Sequence, residues 1–257
     1  MFGLSICAIV RNEAEYIEEW INFHILQGVG HFFIYDNGSD DGTQDILNDY
    51  SDFVTWKPWP KFPGQMSAYR DAIDVLRGST EWLAVIDIDE FLMSNVELPL
   101  YSVLKTFPAD VDVVAVHWLL YGSSGHKIKE PGLVIERFTC RAEEVNPHIK
   151  SIVRLDNVTG VGNDSHTFRV KGRIMSSDGK ELPIDYAHNP GAQMGALRIN
   201  HYATKSKEEC TKRNLLPRAD TGTPRESCPE WFDAHDRNEI VDQTALRYVN
   251  AVKALLR

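Results

Sequence analysis

Residues 82–93 read WLAVIDIDEFLM. The stretch begins as the apolar run of a buried strand and ends that run in three carboxylates, Asp87, Asp89 and Glu90. It then returns at once to Phe91, Leu92 and Met93. Carboxylates set into an apolar core are costly unless they are paired or bound to a metal. What compensates them decides how the rest of the chain is read.

Working upstream, strand-like and helix-like segments alternate. GLSICAIV (3–10) predicts a strand. NEAEYIEEWINFHILQG (12–28) predicts a helix: Asn12 can cap, Glu15 sits three residues on, and Ile17, Trp20, Ile21 and Ile25 fall at helical spacing before Gly28. HFFIYD, DDGTQDILNDY, FVTWKPW and QMSAYRDAIDVLRG continue as strand, helix, strand and helix, and EWLAVIDID is the fourth strand. This rhythm is that of a parallel sheet covered by helices, an α/β fold. Beyond Asp89 it changes. DVVAVHWLLYG, GLVIERF, KSIVRL and HTFRVKG predict strands of more antiparallel character, and the tail DRNEIVDQTALRYVNAVKALLR predicts helix. With no internal repeat and no low-complexity linker, one continuous sheet in a single domain over 1–257 is expected, with a front half 1–92 and a rear half 93–257.

Composition agrees with a globular domain: 43% of the residues are hydrophobic and 25% charged. No apolar run approaches the roughly 20 residues that span a bilayer. MFGLSICAIVRNE lacks the basic start and cleavage site of a signal peptide and reads as a first strand. The four cysteines are scattered without a CxxC pair. They read as free thiols of a reducing cytoplasm rather than as a zinc ribbon or redox pair. A net charge of −10 weighs against nucleic acid as a partner.

In open α/β sheets ligands sit beyond the C-terminal ends of the strands. The polar clusters of the front half all fall there: Arg11, Asn12 and Glu13, then Asp36 and Asn37, then Asp87 and Asp89. The RNEAE loop has no glycines, so dinucleotide and Walker A phosphate loops are excluded. Asp36 can accept a hydrogen bond from the ring N–H of a uracil-like base, whereas Asp40 and Asp41 read as helix caps. Asp87 and Asp89, two apart on a strand, would project to one side. There they suit Mg²⁺ or Mn²⁺, or they cap backbone amides or meet an arginine. His201, in RINHYATKS, can complete an ion's coordination, with His166 as the second choice. Lys205 could then face phosphates. His24 reads as packed.

Four segments, ICAIVRNEAEYIEEWINFH, FFIYDNGSDDGT, WLAVIDIDEF and INHYATKSKEEC, together resemble the family 2-like and family 92-like glycosyltransferases. These are GT-A-fold enzymes that use nucleotide sugars. The resemblance implies a DxD motif at Asp87–Asp89 for Mn²⁺ or Mg²⁺, and makes 1–92 the nucleotide-sugar half and 93–257 the acceptor side. It also implies a nucleotide pocket with Arg11, Glu13 and Asp36, contacts from Arg70 and Asp71, and a ribose contact from Asp87. Asn37 stands where family 2-like members usually have a second aspartate. By the same resemblance the donor is a UDP-sugar, the acceptor a saccharide or lipid-linked saccharide, and the transfer inverting, in polysaccharide biosynthesis. The base for the acceptor hydroxyl is then sought among Asp236, Asp164 and Asp185. Family 92-like animal enzymes carry a membrane anchor, so a cytoplasmic or membrane-peripheral enzyme at the inner face is expected here. The competing readings are a nucleotidyltransferase, which would need a glycine-rich basic first loop, and a non-catalytic binding module, which would be expected to have a broken DxD.

Overall fold

The computed structural model describes residues 1–183, 185–225 and 228–257. The front half alternates as predicted: β1 (Phe2–Val10), α1 (Ile17–Leu26), β2 (His31–Asp36), α2 (Thr43–Asp49), β3 (Val54–Pro58), α3 (Gln65–Leu76) and β4 (Thr80–Val85). The rear half contains β5 (Glu90–Ser94), α4 (Leu100–Leu104), β6 (Val111–Leu120), α5 (Val134–Arg137), β7 (Cys140–Arg141) and β8 (Asn146–Arg154). It continues with β9 (Val158–Val161), β10 (Phe168–Val170), β11 (Arg173–Ser176), β12 (Leu197–His201), α6 (Lys207–Asn214), α7 (Cys228–His235), β13 (Ile240–Val241) and α8 (Val249–Leu255).

Both halves contribute to one nine-stranded sheet, ordered β3-β2-β1-β4-β8-β6-β12-β5, with β11 also paired to β6. The pairs among β1 to β4 are parallel. β8 runs antiparallel between β4 and β6, and β12 pairs parallel with β6 and antiparallel with β5. This is the α/β layout expected, parallel in front and mixed behind. β4 and β5 are neighbours in sequence but not in the sheet. Residues Ile86–Asp89 therefore connect strands that β8, β6 and β12 separate in the sheet order, and this passage places the three carboxylates.

Both faces of the sheet are covered. Along β4, Trp82 and Ala84 enter the apolar layer that holds Trp20 and Phe23 of α1 and Phe91 of β5. Leu83 and Val85 enter the opposite layer, with Tyr69 and Ile73 of α3 and Val153 of β8. Strand alternation with both faces buried explains why β4 reads as a continuous apolar run.

Several expectations are corrected. α1 begins at Ile17, and Asn12 is not its cap: Asn12 has φ of 58°, and Tyr16 stands at the N-cap. β4 ends at Val85, so strand alternation does not set the directions of Asp87 and Asp89. GLVIERF is not a strand; its centre is α5. The Glu19 carboxylate of α1 accepts the N–H groups of Val134 (2.7 Å) and Ile135 (3.0 Å), and this long-range cap overrides the β-propensity of Val and Ile. The tail forms β13 against β7 and a 3₁₀ turn, Thr244–Tyr248, before α8.

Candidate active site at the carboxylate turn

The loops after β1 and β2 are clipped together. The Asn12 N–H donates to Ser39 Oγ (2.9 Å), and Asn12 Oδ1 accepts the Asp40 N–H (2.9 Å). The Glu13 N–H donates to Thr43 Oγ1 (2.9 Å) and the Ala14 N–H to Asp41 Oδ2 (3.0 Å). Asp41 is therefore a loop clip as well as a turn former. Asp36 ends β2 with 1% exposure. Its Oδ2 accepts from Gln44 Nε2 (2.8 Å), and the Ser39 N–H lies 3.3 Å from Oδ1. The departure at Asn37 has a structural cause: its Nδ2 donates to the carbonyls of Trp59 and Lys61, both at 2.7 Å. An aspartate has no proton for either carbonyl.

The carboxylates of the opening stretch are answered by cations of the chain itself. Lys150, on β8, is wholly buried. Its Nζ lies 2.8 Å from Asp87 Oδ2 and 3.6 Å from Glu90 Oε2. Asp87 Oδ1 accepts from Gln65 Nε2 (3.1 Å), and Glu90 Oε2 accepts the Asp87 N–H (2.9 Å). Burial pushes Glu90 well above the usual carboxylate range despite Lys150. Burial also opposes the charge on Lys150, but Asp87 and Glu90 outweigh it and hold the ammonium above its ordinary value. Asp89 faces another group: its Oδ2 lies 3.6 Å from His201 Nε2, at the end of β12, and 3.6 Å from an Arg213 guanidinium nitrogen on α6. Burial would raise Asp89, yet His201 and then Arg213 and Lys205 hold it well below its ordinary value.

The other predicted residues divide. Glu13, next to the clipped loops, is pushed up to about 7 by burial, against the pull of Lys205 and with the Asp89 charge adding to the rise. Lys205 has φ of 49° and lays its ammonium over the Tyr16 ring. Arg11 and Arg70 are exposed. Asp71 is engaged by Lys57 and by the Tyr35 hydroxyl (2.8 Å). Asp164 Oδ1 accepts from the His166 and Thr167 N–H groups (2.8 and 3.0 Å), an ordinary loop-closing role. Asp236 accepts from the Ser123 N–H (2.5 Å) and hydroxyl (3.0 Å), closing the loop after β6. Asp185 is exposed. It lies on the segment whose His188 ring meets His148 at 5.1 Å, and His148 stacks on Trp118 at 5.4 Å. The Trp118 ring also stands 4.3 Å from His201. His166 faces the Ile149 carbonyl at 2.8 Å, and burial pushes it down to about 4. His24 is packed as expected, with Nδ1 on the Trp20 carbonyl and Nε2 accepting the Leu92 N–H. A surface cavity of about 640 Å³, lined by Phe107, Met175, Asp178 and Met194 among others, shares no residue with this group.

Two site residues escaped the sequence reading. Lys150 had a signal, a lone lysine within the apolar strand KSIVRL, which implies a buried anion nearby. Arg213 had none, since a basic residue on a short polar helix is ordinarily solvated.

An α/β sheet with acidic turns at one edge and an imidazole and guanidinium brought over them is a layout suited to anionic, phosphate-bearing ligands. The glycosyltransferase family 92 model matches residues 1–215, and the chain belongs to that family. A family 92 protein of Oryza sativa subsp. japonica is 37% identical over 209 residues, 78% of this chain and 33% of that protein. One of Ricinus communis is 29% identical over 206 residues, 77% of this chain and 35% of that protein. The chain thus spans about a third of the length of these relatives. Among solved structures, S. aureus TarS 1-349 has a TM-score of 0.43 and 14% identity, over 83% of this chain and 64% of that one. No helix among the described residues is long and apolar enough to cross a membrane.

Proposed function

We propose that the chain is a glycosyltransferase that moves a sugar from a nucleoside-diphosphate donor, a UDP-sugar first of all, to a saccharide or lipid-linked saccharide. The reaction is metal-dependent and inverting, and belongs to polysaccharide assembly in the cytoplasm or at the inner membrane face. The observation that carries this reading is the meeting of Asp89 with His201 and Arg213, across three separate elements of the chain.

The residues fit a divalent ion. Mg²⁺-like ions commonly take one or two protein groups and complete their shell with water and phosphate oxygens. Among the described residues no three of His, Cys, Asp and Glu stand together as a cage, so the protein would supply a partial shell. Asp89 Oδ2 and His201 Nε2, 3.6 Å apart, approach the roughly 3 Å between neighbouring ligands of such a shell. The second ring nitrogen, His201 Nδ1, is buried without a hydrogen-bond partner in the structure. When bound, the ion would neutralise the diphosphate leaving group.

The chain's own residues do the rest. Arg213, only partly buried, can turn from Asp89 to a phosphate oxygen and keep its charge at the leaving group. Asp36 offers a buried carboxylate to the base N–H, with Arg11 and Glu13 on the adjoining loop, Asp87 toward the ribose, and Arg70 and Asp71 nearby on α3. Asp185 takes the acceptor proton; it is exposed and sits on the segment that reaches the Trp118 group. The test is thermal stabilisation by UDP, GDP and CDP with and without Mn²⁺, followed by a donor screen scoring nucleotide release. Metal-dependent stabilisation by UDP and turnover of one UDP-sugar are expected. Indifference to all three nucleotides would sink the proposal.

A further inference from the structure

We propose that Lys150 is a positioning residue, a built-in cation that withholds the Asp87 carboxylate from a divalent ion and leaves Asp89 and His201 as the protein's ligands. The inference rests on the ion site proposed above, but it concerns a different carboxylate and can fail separately.

The geometry is asymmetric between the two aspartates. Lys150 lies on β8, between β4 and β6, with no exposed surface. An ammonium cut off from bulk solvent places its protons on protein acceptors. It has Asp87 Oδ2 at 2.8 Å and Glu90 Oε2 at 3.6 Å. The other Asp87 oxygen is taken by Gln65 Nε2 at 3.1 Å, and that amide also donates to the Tyr69 hydroxyl at 2.9 Å. Each oxygen of Asp87, although its side chain is 36% exposed, thus accepts from a fixed donor of β8 or α3. An ion approaching Asp87 would meet a fixed like charge that packing gives no room to withdraw. At Asp89 the cation in the corresponding place is Arg213, whose side chain is 28% exposed and able to swing aside. The acidic turn therefore meets a permanent cation at Asp87 and a displaceable one at Asp89. Only the displaceable one leaves a vacancy that a metal can take.

The test is Mn²⁺ titration, read as free-ion electron paramagnetic resonance, with and without UDP. The proteins are the wild type, Asp87→Asn, Asp89→Asn, Lys150→Met and Lys150→Met with Asp87→Asn. In the titration without UDP, where a ribose contact plays no part, Asp87→Asn should hold Mn²⁺ within about twofold of the wild type, and Lys150→Met should bind it about tenfold more tightly because a carboxylate ligand is released. Adding Asp87→Asn to Lys150→Met should abolish that gain. A lysine of merely structural importance would lower the melting temperature but raise no Mn²⁺ affinity. If Lys150→Met does not fold, Asp87→Asn decides alone. A loss of Mn²⁺ binding by Asp87→Asn comparable to that of Asp89→Asn overturns the inference, as does unchanged affinity in folded Lys150→Met. If Asp89→Asn leaves Mn²⁺ binding intact, the inference falls together with the proposed ion site; if Asp89→Asn loses it while folded Lys150→Met gains nothing, the inference alone falls.

Discussion

Glu209→Gln tests how the rear of the site is held. Glu209 is the third residue of α6 and closes a capping box: its N–H donates to Ser206 Oγ (3.2 Å), and its carboxylate accepts the Ser206 N–H (3.1 Å). The same carboxylate receives two Arg137 guanidinium nitrogens, at 2.9 and 3.0 Å, and the Tyr16 hydroxyl at 2.9 Å. Burial works against this charge, but Arg137 and Ser206 hold the carboxyl at about 2, down from 4.5. That gap corresponds to about 3 kcal/mol of stability at neutral pH. Glutamine keeps the shape, removes the charge and turns a donor toward donors, leaving Arg137 buried and unpaired. The expected loss is about 3 kcal/mol by urea denaturation at pH 7, or roughly 10 °C in melting temperature. The sign with pH follows from the depressed value. The contribution is complete above 4.5 and disappears as pH falls through about 2, so the two proteins should converge over that window. A loss under about 1 kcal/mol, or a gap that does not narrow in acid, refutes the argument. α6 also carries Arg213, so the variant should bind UDP more weakly at temperatures where it remains folded.

Asp89→Asn removes the charge that meets His201 and Arg213, and should lower turnover by about a hundredfold or more in a protein that still folds but melts at a lower temperature. Near-normal turnover at saturating Mn²⁺ would count against the proposed ion site. Asn37→Asp sets a carboxylate against the Trp59 and Lys61 carbonyls and should cost about 2 kcal/mol in a chemical melt, and an unchanged midpoint would return Asn37 to an ordinary loop residue. Burial holds His24 at about 3, against 6.5 in the unfolded chain, so its contribution is present above 6.5 and lost as pH falls. Between pH 7 and pH 5 it should account for about 2 kcal/mol of lost stability, absent from a His24→Gln variant that still folds.

The parallel front of the sheet was legible because its signals are local. Apolar alternation in β4, helical spacing in α1 and α3, and polar residues where strands end all lie within a few positions of one another. Asp36 and the acidic run Asp87, Asp89 and Glu90 stand out for the same reason. GLVIERF misled because its conformation is set by a remote acceptor, Glu19 of α1, rather than by its own propensities. Asp164 and Asp236 stand out in the sequence as carboxylates, and only the structure shows the amides that donate to them. The partners of the acidic turn are the clearest case. Lys150 lies 63 residues from Asp87, and His201 and Arg213 lie farther still from Asp89. The chain by itself shows that Asp87, Asp89 and Glu90 need compensating charge. Which cation answers which carboxylate is decided only where β8, β12 and α6 meet, because a buried charge is neutralised through space, by groups that sequence distance does not constrain.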